Sequence, residues 1–290
     1  MQNWSARTEN YEVHIEVSNA GVRTVTSPVP PPKKRFGQHF LVSAFHARRI
    51  AEAVPASGND SVLEIGAGRG ALTKYLLQRF PRLHVMEMDR DLAPILRDAL
   101  GEGEWTLHQE NALAFDLRSV PAPLHVVGNL PYNVAAPVIK KMLLAESGIR
   151  TCTFMLQREV AERIAAAPGS RRNGFLSVFC QFFGRPRVLF HVPRGAFFPK
   201  PKVESSVVQI VLDRERAETL GRERLDAFFA FVDSGYSMRR KMLVNTLGKE
   251  KGAKERIARF LERMGLSARV RPEELDVSQW LVLFDLVHAP

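Results

Sequence analysis

The chain has 290 residues, 45% of them apolar and 25% charged, which is enough for one large α/β domain and a smaller unit around real cores. Its formal charge of +10 and isoelectric point near 9.9 suit a polyanionic partner, because a basic surface concentrates nucleic acid and speeds its association. Two cysteines, Cys152 and Cys180, stand without a C-x-x-C pair or a histidine cluster, which leaves no basis for a disulfide framework or a metal site. With no run of about 18 apolar residues and no basic-then-apolar leader, the expectation is a soluble, cytoplasmic protein away from membranes.

Residues 1–32 are polar and end in "SPVPPP", which reads as a flexible N-terminal tail, although Tyr11, Val13, Ile15 and Val17 alternate well enough for a stray strand. The basic run "KKRFGQHF" follows, then Ser43 as the N-cap of a helix carrying Phe45, Ile50 and Val54. Strands are predicted near Val62–Ile65, Leu83–Met88, Thr106–His108, Leu124–Val127 and Thr153–Leu156, with helical patterns between them. That alternation is the signature of a doubly wound, mostly parallel sheet. A helix from about Glu159 to Ala167, the loop "PGSRRNG" and a Phe-rich helix come next; "RVLFHV" and "SSVVQIVL" then complete seven strands as an antiparallel edge. Beyond Leu212 only helical patterns remain, with Leu225, Phe228, Phe229 and Val232 at i, i+3, i+4 and i+7, and Ile257, Phe260, Leu261 and Met264 likewise. The expected organisation is therefore a tail (1–32), a Rossmann-like α/β domain (33–212) and a small helical domain (213–290).

"VLEIGAGRGALT" sets Gly66, Gly68 and Gly70 between the first strand and the next helix, where glycine lets the backbone approach a ligand and a helix N-terminus favours polar groups. The same spacing satisfies the dinucleotide fingerprint, including an acidic residue about 20 positions on, so the loop alone does not separate NAD from S-adenosylmethionine. Glu64 tilts the balance, because a carboxylate beside the loop suits a cationic sulfonium and opposes a pyrophosphate. In "VMEMDRD", Glu87 is the candidate acceptor for two ribose hydroxyls, with Asp89 as a cap for the following helix.

"VVGNLPYN", Val126 to Asn133, ends an apolar run with an amide, a proline and an aromatic ring. A turn is one reading. A pocket for an aromatic amine is the other: such an amine has its lone pair delocalised into the ring, so acceptors must hold its hydrogens before it can attack a methyl carbon. The Asn129 side-chain oxygen and the Leu130 carbonyl would supply them, Pro131 would fix their angle, and Tyr132 would offer a face for the base. In-line methyl transfer then depends on positioning and electrostatics rather than on a strong base.

Taken in order, "KKRFGQHFL", "VLEIGAGRGALT", "MEMDRD", "GNLPYN", "FMLQREVAERI", "AFFPKPKVESSVV" and "RRKMLVNTL" resemble the ribosomal RNA adenine dimethylases. They are most similar to the bacterial branch that dimethylates two adjacent adenosines near the 3′ end of 16S rRNA in the small ribosomal subunit. The resemblance spans about Lys33 to Leu283 and implies an S-adenosylmethionine-dependent enzyme of small-subunit biogenesis, acting as a monomer on RNA. It implies that Gln38 and Leu41 lie over the cofactor, Gly66 lies against its methionine part, Glu87 binds its ribose, and Asn129 with Leu130 holds the target amine. It also implies that Tyr132 and Phe197 sandwich the flipped adenine. Two departures stand out. Asn111 in "QENAL" replaces the family's usual Asp beside the cofactor adenine, and Phe198 stands beside the family phenylalanine where a smaller polar residue is common. Arg171, Arg172, Arg239, Arg240 and Lys241 are candidates for RNA phosphate contacts. The rival readings are a 23S rRNA dimethylase of the macrolide-resistance type and a ribosome-assembly factor acting mainly by binding; "FMLQREVAERI" and "RRKMLVNTL" favour the small-subunit branch, and the intact Asn129 and Tyr132 favour live chemistry.

Overall fold

The computed structural model describes residues 14–15, 23–24, 30–33, 37–101, 103–238, 241–248 and 252–288. In the tail, β1 (His14–Ile15) and β2 (Arg23–Thr24) pair antiparallel, so the stray strand is present around Ile15, while Tyr11, Val13 and Val17 lie outside the described residues. A short β3 (Phe40–Leu41) precedes α1 (Ala44–Ala53), whose N-cap Ser43 accepts the His46 N–H as the sequence predicts. Ile50 and Val54 are buried, but Phe45 is 66% exposed and leaves the predicted core face.

Apolar runs then become strands and the periodic segments between them become helices: β4 (Ser61–Ile65), α2 (Thr73–Leu77), β5 (Leu83–Met86), α3 (Leu92–Leu100), β6 (Trp105–His108), β7 (Leu124–Asn129), α4 (Ala135–Leu144) and β8 (Ile149–Gln157). The pairs β4–β5, β4–β7, β5–β6 and β7–β8 are all parallel. Every residue of β4 is buried, as expected of a strand covered on both faces. Next come α5 (Arg158–Ile164), α6 (Phe175–Phe183), β9 (Gly184–Val192), a two-residue β10 (Phe197–Phe198) and β11 (Ser205–Leu212). The seven-stranded sheet has the order β6-β5-β4-β7-β8-β11-β9, while β10 pairs antiparallel with β3. The C-terminal stretch is helical, as predicted: α7 (Glu215–Leu220), α8 (Arg222–Tyr236), α9 (Leu243–Leu247), α10 (Ala253–Arg263) and α11 (Val277–His288).

This strand order creates the position where a site belongs. From β4 the chain moves outward through β5 and β6, then returns to place β7 on the other side of β4, so the connections after β4 and β7 diverge. Register brings Ile65 of β4 opposite both Met86 and Gly128, which sets the glycine loop, the "MEMD" turn and the "NLPY" corner at one end of the sheet. Gly128 is required there, because a Cβ at that position would lie 2.5 Å from the Ile65 carbonyl oxygen.

The chain forms two compact units, one of residues 1–156 and 192–205, the other of residues 157–191 and 206–290. The first contains β3 to β7, nearly all of β8, and β10. The second joins the C-terminal helices with α5, α6 and β9. Its core explains that grouping: Phe179 and Phe182 of α6 meet Phe229 and Phe228 of α8 at ring-centroid separations of 4.5 and 5.2 Å. The sequence, read by periodicity, divides the chain after Leu212 instead and assigns this Phe-rich helix to the α/β part. Among the described residues no helix is long and apolar enough to cross a membrane.

Candidate active site

A cavity of about 370 Å³ opens in the first unit at the C-terminal ends of β4, β5, β6 and β7. Its wall takes Gln38 and Phe40 from the segment before α1, Gly66 and Gly68 from the glycine loop, and Met86 to Asp89 from the turn after β5. Glu110 to Leu113 follow from the loop after β6, and Asn129 to Val134 from the corner after β7. The charge in this wall is one-sided: Glu87, Asp89 and Glu110 are carboxylates, and among the described lining residues there is no lysine or arginine. A pyrophosphate would meet repulsion here, and a cationic ligand would be attracted. Of the two cofactors that the glycine spacing leaves open, this charge pattern favours the cationic one.

Glu87 organises the glycine loop. Its Oε2 accepts the Gly68 N–H at 2.8 Å and its Oε1 accepts the Asp89 N–H at 2.8 Å. Burial pushes its carboxyl above the ordinary value, against the pull of the Asp89 and Gly68 N–H groups. The Met88 N–H also pulls on this carboxylate, and the side chain still has acceptor capacity left for a hydroxyl from the cavity. Gly68 adopts φ +60°, and a Cβ on it would come within 3.1 Å of the Phe40 ring, so the loop passes close beneath that aromatic only because it lacks a side chain.

Asp89 caps the turn into α3 as the sequence suggests: its Oδ1 accepts the Asp91 N–H at 3.2 Å and its carbonyl the Leu92 N–H at 3.0 Å, while Asp91 itself makes no side-chain cap bond. It also anchors the chain before α1: Lys33 Nζ lies 2.5 Å from Oδ1, and Gln38 Nε2 donates to Oδ2 at 3.0 Å. Burial pushes the Asp89 carboxyl up, but Lys33, Gln38 and the Asp91 N–H together outweigh it and hold it below the usual carboxylate range. Gln38 also accepts the Lys33 backbone N–H at 2.7 Å, and the Arg69 guanidinium sits 4.3 Å from the centre of the Phe40 ring.

Glu64 lies elsewhere than the sequence suggests. It points into the core with 1% exposure and is absent from the cavity wall, because as an interior residue of fully buried β4 it faces α2 rather than the loop. Burial pushes its carboxyl up to about 8, with the Thr73 side chain opposing the shift and the Glu87 charge adding to it. Between 4.5 and about 8 the folded chain therefore keeps a proton that the unfolded chain has released, so stability falls as pH rises across that window. Glu64→Gln removes this ionisation. Its thermal midpoint, followed by calorimetry from about pH 5 to about pH 8.5, is expected to decline less than that of the parent chain; parallel declines would contradict the assignment.

The "NLPY" corner emerges as a continuation of β7, which runs through Asn129 and pairs it with Met155. Leu130 keeps the parallel pattern by donating its N–H to the Met155 carbonyl at 3.2 Å, and the Val134 N–H closes the turn onto the Pro131 carbonyl at 3.1 Å. The Asn129 side chain donates through Nδ2 to the His39 carbonyl at 3.0 Å. A carbonyl can only accept, so the amide orientation is fixed and Oδ1 is the acceptor left for the cavity. The half-buried Tyr132 joins its hydroxyl to Ser205 Oγ at 3.0 Å, and burial raises its phenol above the ordinary value.

The cavity thus gathers Gln38, Gly66, Gly68, Glu87, Asn111, Asn129, Leu130, Pro131 and Tyr132 of the residues singled out in the sequence, and leaves out Leu41, Glu64 and Phe197. Leu41 and Phe197 are both buried and are paired in the β3–β10 ladder, on the face of β3 opposite to Phe40. Phe198, opposite Phe40, is the more exposed ring of the two. Asn111 Oδ1 accepts the Leu113 N–H at 2.9 Å, a turn that shapes the loop after β6 and uses one lone pair of the oxygen expected to meet an adenine amine. In the second unit, Arg172 pairs with Glu162 at 3.0 Å, and Arg171 and Lys241 are exposed; Arg239 and Arg240 lie outside the described residues. The sequence reading misses His39, Met88, Glu110 and Leu113. Met88, two residues past β5, and Leu113, in the loop after β6, are apolar side chains that remain 44% and 41% exposed.

The model of the ribosomal RNA adenine dimethylase family matches residues 31–288. Among similar proteins, the ribosomal RNA small subunit methyltransferase A of Alcanivorax borkumensis is 38% identical over 261 residues, covering 89% of this chain and 91% of that one. The protein of the same name from Pseudomonas savastanoi pv. phaseolicola is 42% identical over 259 residues, covering 87% and 93%. Among solved structures, a dimethyladenosine transferase from Plasmodium falciparum superposes with a TM-score of 0.73 at 22% identity, covering 84% of this chain and 96% of the other, which supports the fold. The 23S rRNA methyltransferase ErmE gives 0.68 at 25% identity, covering 86% and 99%. With its glycine loop, acidic turn and Asn-Leu-Pro-Tyr corner drawn around one cavity, the chain belongs to the ribosomal RNA adenine dimethylase family.

Proposed function

We propose that this protein transfers methyl groups from S-adenosylmethionine to the exocyclic amines of two adjacent adenosines near the 3′ end of 16S rRNA in the small subunit. The observation that carries the reading is the pairing, in one cavity, of an all-carboxylate wall with an amide whose oxygen is the free acceptor. When bound, S-adenosylmethionine supplies an electrophilic methyl carbon on a sulfonium. Glu87 would accept a ribose hydroxyl, Gln38 would line the same ligand, and Met88 and Leu113 would give apolar surface to its adenine ring.

At the other end of the cavity, Asn129 Oδ1 and the Leu130 carbonyl hold the hydrogens of the target amine, which draws its lone pair out of conjugation and aims it. Pro131 fixes the angle between these acceptors, and Tyr132 stacks on the extruded base, which must leave its helix to reach the site. The methylated amine is a strong enough acid to lose its proton without a dedicated base. For the second transfer, only one hydrogen remains to be held, and the pocket must admit the first methyl. The basic side chains Arg171, Arg172 and Lys241 of the second unit, with Arg239 and Arg240, would contact RNA phosphates, and the charge of +10 would speed encounter.

The test is methyl incorporation from labelled cofactor into small and large subunits isolated from cells lacking the enzyme. Label is expected in small-subunit RNA only. Preferential labelling of the large subunit would replace the reading with the 23S alternative, and binding to small subunits without transfer would replace it with an assembly factor.

A further inference from the structure

His39 sits between Gln38 and Phe40 and lines the cavity with them. Its ring lies against Tyr132, with centroids 5.9 Å apart and planes inclined by 28°. Its Nδ1 is 2.7 Å from the Pro199 carbonyl oxygen, which can only accept, so Nδ1 carries the proton and the imidazole is pinned from behind. The Tyr132 hydroxyl is held at its far end by Ser205, so the phenol is fixed at its tip by one hydrogen bond and on one face by a ring. A base slid between two rings needs about 7 Å, twice a van der Waals carbon contact, and the 5.9 Å gap does not provide it. The adenine must therefore take the opposite face of Tyr132. The same residue, through its carbonyl, fixes the Asn129 amide.

We propose that His39 is a positioning residue for the target base: its ring backs Tyr132 so that the phenol presents a rigid face to adenine, while its carbonyl turns Asn129 Oδ1 toward the amine. The inference rests on the methyl-transfer reading above. The carbonyl survives any side-chain replacement, so substitution at this position isolates the ring. His39→Phe keeps a flat ring without the Pro199 hydrogen bond, and His39→Asn keeps a donor without a ring.

Steady-state methyl transfer to small-subunit particles, with cofactor affinity measured by calorimetry, separates the roles. His39→Ala and His39→Asn are expected to lower kcat about tenfold, the scale of one lost base–aromatic stacking contact, with KM for the particle and Kd for the cofactor within about threefold of wild type. His39→Phe is expected to restore kcat to within about threefold. The proposal is overturned if His39→Phe is as slow as His39→Ala, if His39→Ala matches wild type, or if cofactor affinity falls in step with kcat. Should His39→Ala fail to fold, the Phe and Asn variants decide the matter between them. Failure of the wild-type chain to methylate small subunits would instead remove the functional reading itself.

Discussion

Replacing Asn129 by alanine is expected to lower methyl transfer about 1000-fold or more, while binding to small-subunit particles stays within about threefold of wild type. The size of the effect follows from what the amide does. An aromatic amine has almost no nucleophilic lone pair until acceptors hold its hydrogens, and the orientation of Asn129, set by its hydrogen bond to the His39 carbonyl, leaves Oδ1 for the proposed task. Nothing else in the corner replaces it, because the Leu130 carbonyl holds a single hydrogen and Tyr132 contributes a face. Asn129→Asp should fare little better despite keeping an oxygen: a carboxylate cannot donate to the His39 carbonyl, and two acceptors would then stand about 3 Å apart. Affinity for the particle should survive because it is dominated by phosphate contacts made by basic side chains. Single-turnover transfer and filter binding on the same particles measure the two quantities. A variant that still transfers methyl groups at the parental rate would refute the role given to the amide.

Glu87→Gln is expected to weaken cofactor binding about 100-fold, because hydrogen bonds to a charged group contribute about 1.5–3 kcal/mol each and ribose hydroxyls would bond to this one in the proposed site. The amide would fail twice. It carries less charge, and its NH₂ group would face either the Gly68 or the Asp89 N–H, placing two donors against each other in a site that is 7% exposed. Loss of the Gly68 contact also loosens the loop beneath Phe40, so the damage reaches the cavity floor. Titration calorimetry with S-adenosylmethionine and with its demethylated product reports the affinity directly. A change below about threefold for both would show that Glu87 holds only the loop and leaves the ligand to other groups.

Much of this architecture was legible in the sequence, and the residues show where legibility stops. Buried parallel strands announce themselves as short runs of Val, Leu and Ile, and β4, β5, β6, β7 and β8 all lie on the runs that predict them. The corner after β7 is readable because Asn, Pro and Tyr in succession are unusual at a strand end, and the structure does place them in a cavity wall. Pairings between distant segments leave no such trace. The two-residue strands β3 and β10 are far too short for a periodicity, so nothing in the sequence shows Leu41 and Phe197 paired and buried outside the cavity wall. Glu64 misleads for a related reason: alternation places a side chain on one face of a strand but does not say whether that face meets the loop or the helix behind it. Asp89 follows the pattern of a helix cap and caps the turn into α3, but its second task, holding Lys33 and Gln38 from more than 50 positions earlier, leaves no trace in the sequence. The aromatic packing of α6 on α8, which gathers the second unit, is likewise a tertiary fact that composition alone does not disclose.

The most direct measurement is the identity and position of the modified nucleosides after the purified protein acts on undermethylated small subunits with S-adenosylmethionine. Digestion and mass spectrometry of the 16S rRNA are predicted to find N6,N6-dimethyladenosine at two adjacent positions near the 3′ end, and to find neither with the Asn129→Ala variant. Methylation at carbon, at ribose, or at adenosines elsewhere in the RNA would contradict the account, in which the corner holds the exocyclic amine of those two adenosines.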